Sequence, residues 1–304
     1  MLLKNIHRLG AILTLLGMIA TAQAVDWNSA RNIYPGIKLI AVKKDKPRLI
    51  RMFIMRIDLK TPGLSFAVTG RAPGWGKPMP DDPKIPIRTQ RTTTGDFMRN
   101  ARKPVAQGGR GLNMIVAVNA SPWRPWRLPF TQKFADPPGL TISDGVLVGQ
   151  RGKDPVFVVY RDGDVDIVDK VKPEDIPKIK NAVSGFQIVA RNGKVLPDTV
   201  PLNRSCHPRT AYGLSADRRY LYLIAIDGRQ KKWSLGAKGS ETGQFLLDAG
   251  ASDVINMDGG GSTTMCYWDR HKKKPVMVNR QSDTGNYMRP VATNLGIVLN
   301  RRDK

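Results

Sequence analysis

Apolar positions along the chain fall in short blocks bounded by Gly, Pro, Asn and Asp, as in Met114-Ile-Val-Ala-Val-Asn119 and Tyr220-Leu-Tyr-Leu-Ile-Ala-Ile226. Such blocks predict buried β-strands rather than amphipathic helices. Residues 209–214 and 220–227, separated by the polar run 215–219, predict a hairpin. Setting Leu214 opposite Tyr220 places Arg209 opposite Ala225 and His207 opposite Asp227, so His207, Arg209 and Asp227 share one end of it. A slip of one residue would exchange the two faces. A loop after Gly228 leads to a predicted helix over 240–250, with Ser240 as N-cap and Gly250 as C-cap. The apolar run 254–258 follows as a strand. Strand, helix and strand predict a βαβ crossover with parallel strands. Their carboxyl ends, Asp227-Gly228 and Asp258-Gly259, then meet one sheet edge, side by side or one strand apart, where ligands bind in sheets of this kind. A second short helix is predicted over 94–101 with Thr94 as N-cap. The expected fold class is α+β: a mixed β-sheet with hairpins and a βαβ unit, and few helices.

The pattern differs at the start. Residues 1–24 carry Lys4 and Arg8, an apolar run over 9–20, and Ala22-Gln23-Ala24. This is the layout of a secretory signal peptide, with the mature chain expected to begin near Val25; an uncleaved anchor is the alternative. The expected location is periplasmic or secreted. With no repeat, low-complexity tract or later apolar span, residues 25–304 read as a single domain.

Composition adds a strong positive field: 49 Lys and Arg against 25 Asp and Glu, a formal charge of +24. Outside the cytoplasm such a field attracts acidic polysaccharides and anionic membrane surfaces, although charge also serves solubility. No helix-turn-helix, zinc-finger or single-strand-binding pattern points to specific nucleic acid. Two cysteines, Cys206 and Cys266, could form one disulfide in an oxidising compartment. As a Cys-His nucleophile, Cys206-His207 is weak, because neighbours on a strand point to opposite faces.

The chemistry concentrates in Asn256-Met-Asp-Gly-Gly-Gly-Ser-Thr-Thr264. Gly259, Gly260 and Gly261 can bring backbone N–H groups to an anion, with Ser262 and Thr263 beside them and Asp258 just before. The loop lacks the Gly-Lys-Ser/Thr of a nucleotide-binding P-loop and the spacing of a dinucleotide fingerprint. His207 and His271 are too few for an ordinary zinc site, and no cofactor or metal is assigned. Asp227, Asp258, His207 and Arg209 suit hydrolysis of a phosphate-bearing glycoside: Arg holds phosphate bidentately, and a carboxylate acts as base or stabilises an oxocarbenium-like transition state. Asn119 and Arg289, each near a strand end, are placed to reach sugar or phosphate.

Taken together, His207-Pro-Arg-Thr-Ala211, Ile226-Asp-Gly-Arg-Gln230 and the 256–264 loop resemble the phosphodiester glycosidase domain family. The likeness extends to 56–63, 118–120, 138–145, 184–193 and 289–292, and so to nearly all of the expected mature chain. It implies hydrolysis of a sugar-1-phosphodiester, such as an N-acetylglucosamine-1-phosphodiester, releasing sugar and a phosphomonoester. It implies Asp227, Asp258 and His207 as catalytic residues. Arg209, Asn119, Arg289 and 259–263 become substrate-binding residues, and which carboxylate is acid, base or nucleophile is left open. The expected partner is a sugar phosphate or anionic glycan of the cell envelope. The alternative function is noncatalytic holding of an anionic glycan during exopolysaccharide assembly.

Overall fold

The computed structural model describes residues 24–150, 152, 154–282 and 287–300; the expected signal peptide lies almost wholly outside them. The chain folds mostly into β-sheet. An eight-stranded sheet has the order Arg31–Tyr34, Ile37–Lys44, Ile50–Asp58, Tyr220–Ile226, Arg209–Leu214, Asp253–Asn256, Gln187–Arg191, Lys194–Val195. A five-stranded sheet centres on Met114–Asn119, between Met265–Asp269 and Asn294–Leu299. Another centres on Ile179–Ser184, between Thr141–Ser143 and Val156–Tyr160.

The strand Tyr220–Ile226 is a continuous apolar run because both of its faces are buried. Leu221, Leu223 and Ala225 enter the main core, which Val116 and Val118 of the second sheet and Phe157 and Val183 of the third also fill. Tyr222, Ile224 and Ile226 point the other way and pack with Leu246 of the helix Gly239–Asp248. Beyond the second sheet, Phe97, Met98 and Ala101 of the helix Thr94–Arg102 cover Met114 and Ala117.

Several expectations are corrected. The hairpin pairs Leu214 with Leu221 and Arg209 with Ile226, one residue from the expected register. Ser215 and Tyr220 also pair, Ser215 N donating to Tyr220 O at 3.0 Å, and Arg218 takes φ +56 in the turn. His207 consequently faces Ala237, with backbone N–H···O bonds of 3.1 and 3.0 Å, and not Asp227.

All the strand ladders described are antiparallel, so the sheet is not mixed in its direct pairing. Tyr220–Ile226 and Asp253–Asn256 both pair antiparallel with Arg209–Leu214, which lies between them. They therefore run the same way one strand apart, with no parallel ladder joining them. The N-caps also move. Lys238, not Ser240, precedes the second helix, and Ser240 N and Oγ instead donate to Asp198 at 2.7 and 2.8 Å. Thr93, not Thr94, caps the first, its Oγ1 accepting from Asp96 N at 2.9 Å. Cys206 and Cys266 are free thiols, not a disulfide. Cys266 is fully buried with its sulfur against Met288, and burial pushes its thiol up to about 12.

Candidate active site

Because Arg209–Leu214 runs against both of its neighbours, its beginning meets their ends at one sheet edge. His207-Pro208, Asp227-Gly228 and the 257–263 loop meet there. Glycine is required at this crossing: a Cβ on Gly228 would lie 2.5 Å from Pro208 N, and one on Gly259 would lie 2.6 Å from Pro208 O. Such separations are inside van der Waals contact, so the two Asp-Gly pairs let two backbone segments close on His207-Pro208.

Asn119 ties the second sheet to this crossing and has no solvent exposure. Its Nδ2 donates to Asp258 O at 2.7 Å, and its Oδ1 accepts from Thr210 Oγ1 at 2.7 Å and Thr264 N at 3.0 Å. Asp258 N donates to Ala120 O at 2.9 Å. Both backbone polar groups of Asp258 are thus fixed, which aims its carboxyl.

That carboxyl lines a cavity of about 480 Å³ together with His207, Arg209, Arg229, Asp154 and 259–261. Trp123, Trp126, Phe186 and Leu202 supply apolar wall. Asp258 is 6 % exposed, and its Oδ2 has no hydrogen-bond partner among the described residues. Burial pushes its pKa up to about 7; Ser262, the Arg289 charge, Gly259 N–H and Trp123 favour the anion and oppose part of that rise. Ser262 Oγ and Trp123 Nε1 nevertheless stop short of hydrogen-bond geometry, and both are buried without a partner, as are Thr263 Oγ1 and His207 Nδ1. Buried polar atoms without partners are uncommon in native proteins. Asp258 Oδ2, Trp123 Nε1 and His207 Nδ1 belong to residues lining the same cavity and mark it as a place suited to polar groups of a ligand. Desolvation, then the charges of Arg229 and Arg209, lower the His207 pKa, leaving a neutral imidazole at physiological pH.

Other expected site residues stand elsewhere. Asp227 is fully buried and is not on the cavity lining. Its Oδ2 accepts from Trp233 Nε1 at 2.7 Å and its Oδ1 from Arg280 N at 2.8 Å. Burial raises its pKa against these hydrogen bonds. Arg209 reaches the cavity but spends its donors on the protein: Nε on Ala237 O, Nη1 on Asn203 Oδ1, and Nη2 on Leu202 O and Ser205 O, at 2.7–3.1 Å. Bidentate phosphate binding by Arg209 is therefore corrected. Its guanidinium, lowered to about 10 by burial, stays charged at neutral pH and pins the 202–205 turn.

Of the three glycine N–H groups, that of Gly260 is taken by the protein, donating to Pro208 O at 3.0 Å, while Ser262 N donates to Gly259 O at 3.1 Å and Thr263 N to Gly260 O at 3.2 Å. Arg289 is near enough for its charge to act on Asp258, and its guanidinium lies 4.6 Å from the Phe130 ring centre and 5.5 Å from that of Trp126.

Two lining residues, Arg229 and Asp154, escaped sequence reasoning. Arg229, inside the Ile226-Asp-Gly-Arg-Gln230 motif, has φ +58, and a Cβ on Gly260 would sit 3.2 Å from its guanidinium nitrogens. A non-glycine residue held in the left-handed region is a mark of functional sites, and its place in the motif was an available signal. Asp154, whose pKa burial raises, lies in a Gly-Lys-Asp-Pro loop with no pattern to distinguish it from a turn. The Pro/Trp/Arg-rich segment 121–130 after Asn119 reads in sequence either as a rim that stacks sugar rings or as a rigid surface loop, and its Trp123 and Trp126 line the cavity.

The family model described as phosphodiester glycosidase matches residues 112–298. No curated protein matches the chain. Among solved structures, the zebrafish N-acetylglucosamine-1-phosphodiester alpha-N-acetylglucosaminidase catalytic domain, auto-inhibited by its pro-peptide, is similar with TM-score 0.60 and 18% identity. That match covers 92% of this chain and 87% of the zebrafish one. A hypothetical protein from Synechocystis is similar with TM-score 0.56 and 13% identity, over 88% of this chain and 63% of that one. At these identities the likeness is one of fold.

Proposed function

The chain belongs to the phosphodiester glycosidase family, and from that premise we propose that it hydrolyses the C1–O bond of a sugar-1-phosphodiester, with Asp258 as the catalytic carboxylate. Water adds at C1, the bond from C1 to the bridging oxygen breaks, and free sugar and a phosphomonoester leave. The leaving phosphate carries its own negative charge and needs little help from an acid. The demanding requirements are deprotonation of water and stabilisation of an oxocarbenium-like sugar.

A base is most effective when its pKa lies near the working pH. Asp258, at about 7 and with an unpartnered oxygen on the cavity wall, meets that description. This single residue carries the proposal. Asp154 is the second carboxylate of the cavity and is assigned to the developing positive charge on the sugar. Arg229 is assigned to the phosphate, with the neutral His207 as a hydrogen-bonding partner to substrate. Asp227, with both oxygens engaged by the protein, is assigned an anchoring role. The substrate is proposed to belong to the cell envelope, reached by a secreted chain lacking residues 1–24, and to be an N-acetylglucosamine-1-phosphodiester or a close relative.

The test is release of free sugar from a panel of sugar-1-phosphodiesters, UDP-N-acetylglucosamine included, by the parent and by Asp258→Asn, Asp154→Asn and Asp227→Asn. Turnover that Asp258→Asn abolishes supports the proposal. Tight binding of the panel without turnover supports the noncatalytic glycan-holding role instead.

A further inference from the structure

Six large apolar side chains are strongly exposed among the described residues: Val105, Trp126, Leu128, Val146, Leu202 and Tyr287. Scattered singly, such residues need no explanation. Three of them gather at one place. Trp126 and Leu202, 57% and 55% exposed, line the cavity from the 121–130 segment and the turn Pro201–Arg204, and Leu128, 76% exposed, follows Trp126 by two residues.

Trp126 is held in position, its ring centre 5.0 Å from that of Trp123 and 4.6 Å from that of Phe130, with the Arg289 guanidinium on the same cluster. The surrounding chain is basic. Residues 121–133 include Arg124, Arg127 and Lys133, residues 228–233 include Arg229, Lys231 and Lys232, and neither stretch has an Asp or Glu. Arg124 and Arg127 are ion-paired, to Asp136 and Asp82. Lys133, Lys231 and Lys232 are exposed.

From this juxtaposition we propose that the cavity mouth docks on an anionic lipid bilayer, with Trp126 at the headgroup level, Leu128 and Leu202 entering the acyl boundary, and the cations on lipid phosphates. A tryptophan suits the membrane interface because its ring is apolar and its N–H polar. Apolar insertion combined with basic charge is how peripheral proteins bind anionic membranes. An acidic polysaccharide would use the cations and the tryptophan face, but it gives Leu128 nothing to do. The orientation would open the cavity toward the membrane surface. The proposal does not depend on the catalytic reading, since docking is measured without turnover.

The test is co-sedimentation of the chain beginning at Val25 with vesicles of phosphatidylcholine alone and of phosphatidylcholine with phosphatidylglycerol; omitting residues 1–24 keeps their apolar run from adding affinity. The parent is expected to bind the phosphatidylglycerol vesicles and hardly the others. Leu128→Ser is expected to weaken that binding by about tenfold, as removal of one partly inserted leucine should. Its melting temperature should stay that of the parent, because Leu128 is 76% exposed. Trp126→Ala provides a second loss at the same rim. Equal binding by parent and Leu128→Ser would overturn the proposal and leave charge alone as the attraction. So would failure to bind either vesicle with retention on an acidic polysaccharide, which would make a glycan the partner.

Discussion

At the scale of single residues, Asp258 makes an unusual combination of demands on its surroundings. A carboxyl this buried is held neutral in the fold well above its ordinary range: its pKa of about 7 exceeds the 3.8 of an exposed aspartate. The folded state therefore binds a proton that the unfolded chain releases, and folding stability falls as pH rises through that interval. Below 3.8 the residue costs nothing, and above about 7 its full cost is present. Asp258→Asn removes the charge, so it should stabilise the protein at pH 8 by up to ~4 kcal/mol while leaving pH 4 stability little changed. Denaturant unfolding at the two pH values measures this, and equal stability of parent and variant at pH 8 would contradict it. The same variant should lose about 100-fold or more in kcat, the usual worth of a positioned base. A residue that weakens the fold when ionised and is retained at the cavity wall is better explained by chemistry than by packing.

Elements decide where that residue points. The apolar blocks were legible because strands buried on both faces have continuous apolar sequence, as 220–226 does. The convergence of His207-Pro208 with the two Asp-Gly pairs was legible too, since it needs only strand order. Register was not, because a turn's exact pairing depends on Arg218 adopting a left-handed conformation that the residue type does not announce. The roles of Asp227 and Arg209 were also hidden: their partners are the Trp233 and Asn203 side chains and backbone groups of 202, 205, 237 and 280, which no sequence pattern assigns to them.

Two outcomes follow at this scale. Asp227→Asn exchanges one accepting oxygen for a donor beside Trp233 Nε1 or Arg280 N. It should destabilise the fold by roughly 1–3 kcal/mol, read as a lowered denaturation midpoint, with activity falling through loss of fold. Gly259→Ala forces a methyl against Pro208 O, which should cost about 1–3 kcal/mol. Because the clash shifts Pro208 beside His207, it should lower kcat even where the protein remains folded, as assayed below its melting temperature.

For the whole molecule, three sheets share one core, and the cavity forms where the eight-stranded sheet meets the ends of the other two. The two cysteines suggested a possible disulfide; the thiols are instead free, Cys266 sealed against Met288 and Cys206 half-buried beside the cavity residue His207. Stability should accordingly be indifferent to redox conditions: dithiothreitol should leave the melting temperature unchanged, and a fall of several degrees would contradict the free-thiol arrangement. Asp154 and Arg229 lay beyond sequence reasoning because they come from loops that only the assembled sheets bring to one cavity.

Base catalysis by Asp258 in that cavity is tested most directly by the pH dependence of kcat/KM on an N-acetylglucosamine-1-phosphodiester for the parent and Asp258→Asn. The parent rate is expected to rise with pH through a single ionisation near 7 and to level off above it, with Asp258→Asn inactive across the range although folded. Full turnover by Asp258→Asn, with the same ionisation still present, would contradict it.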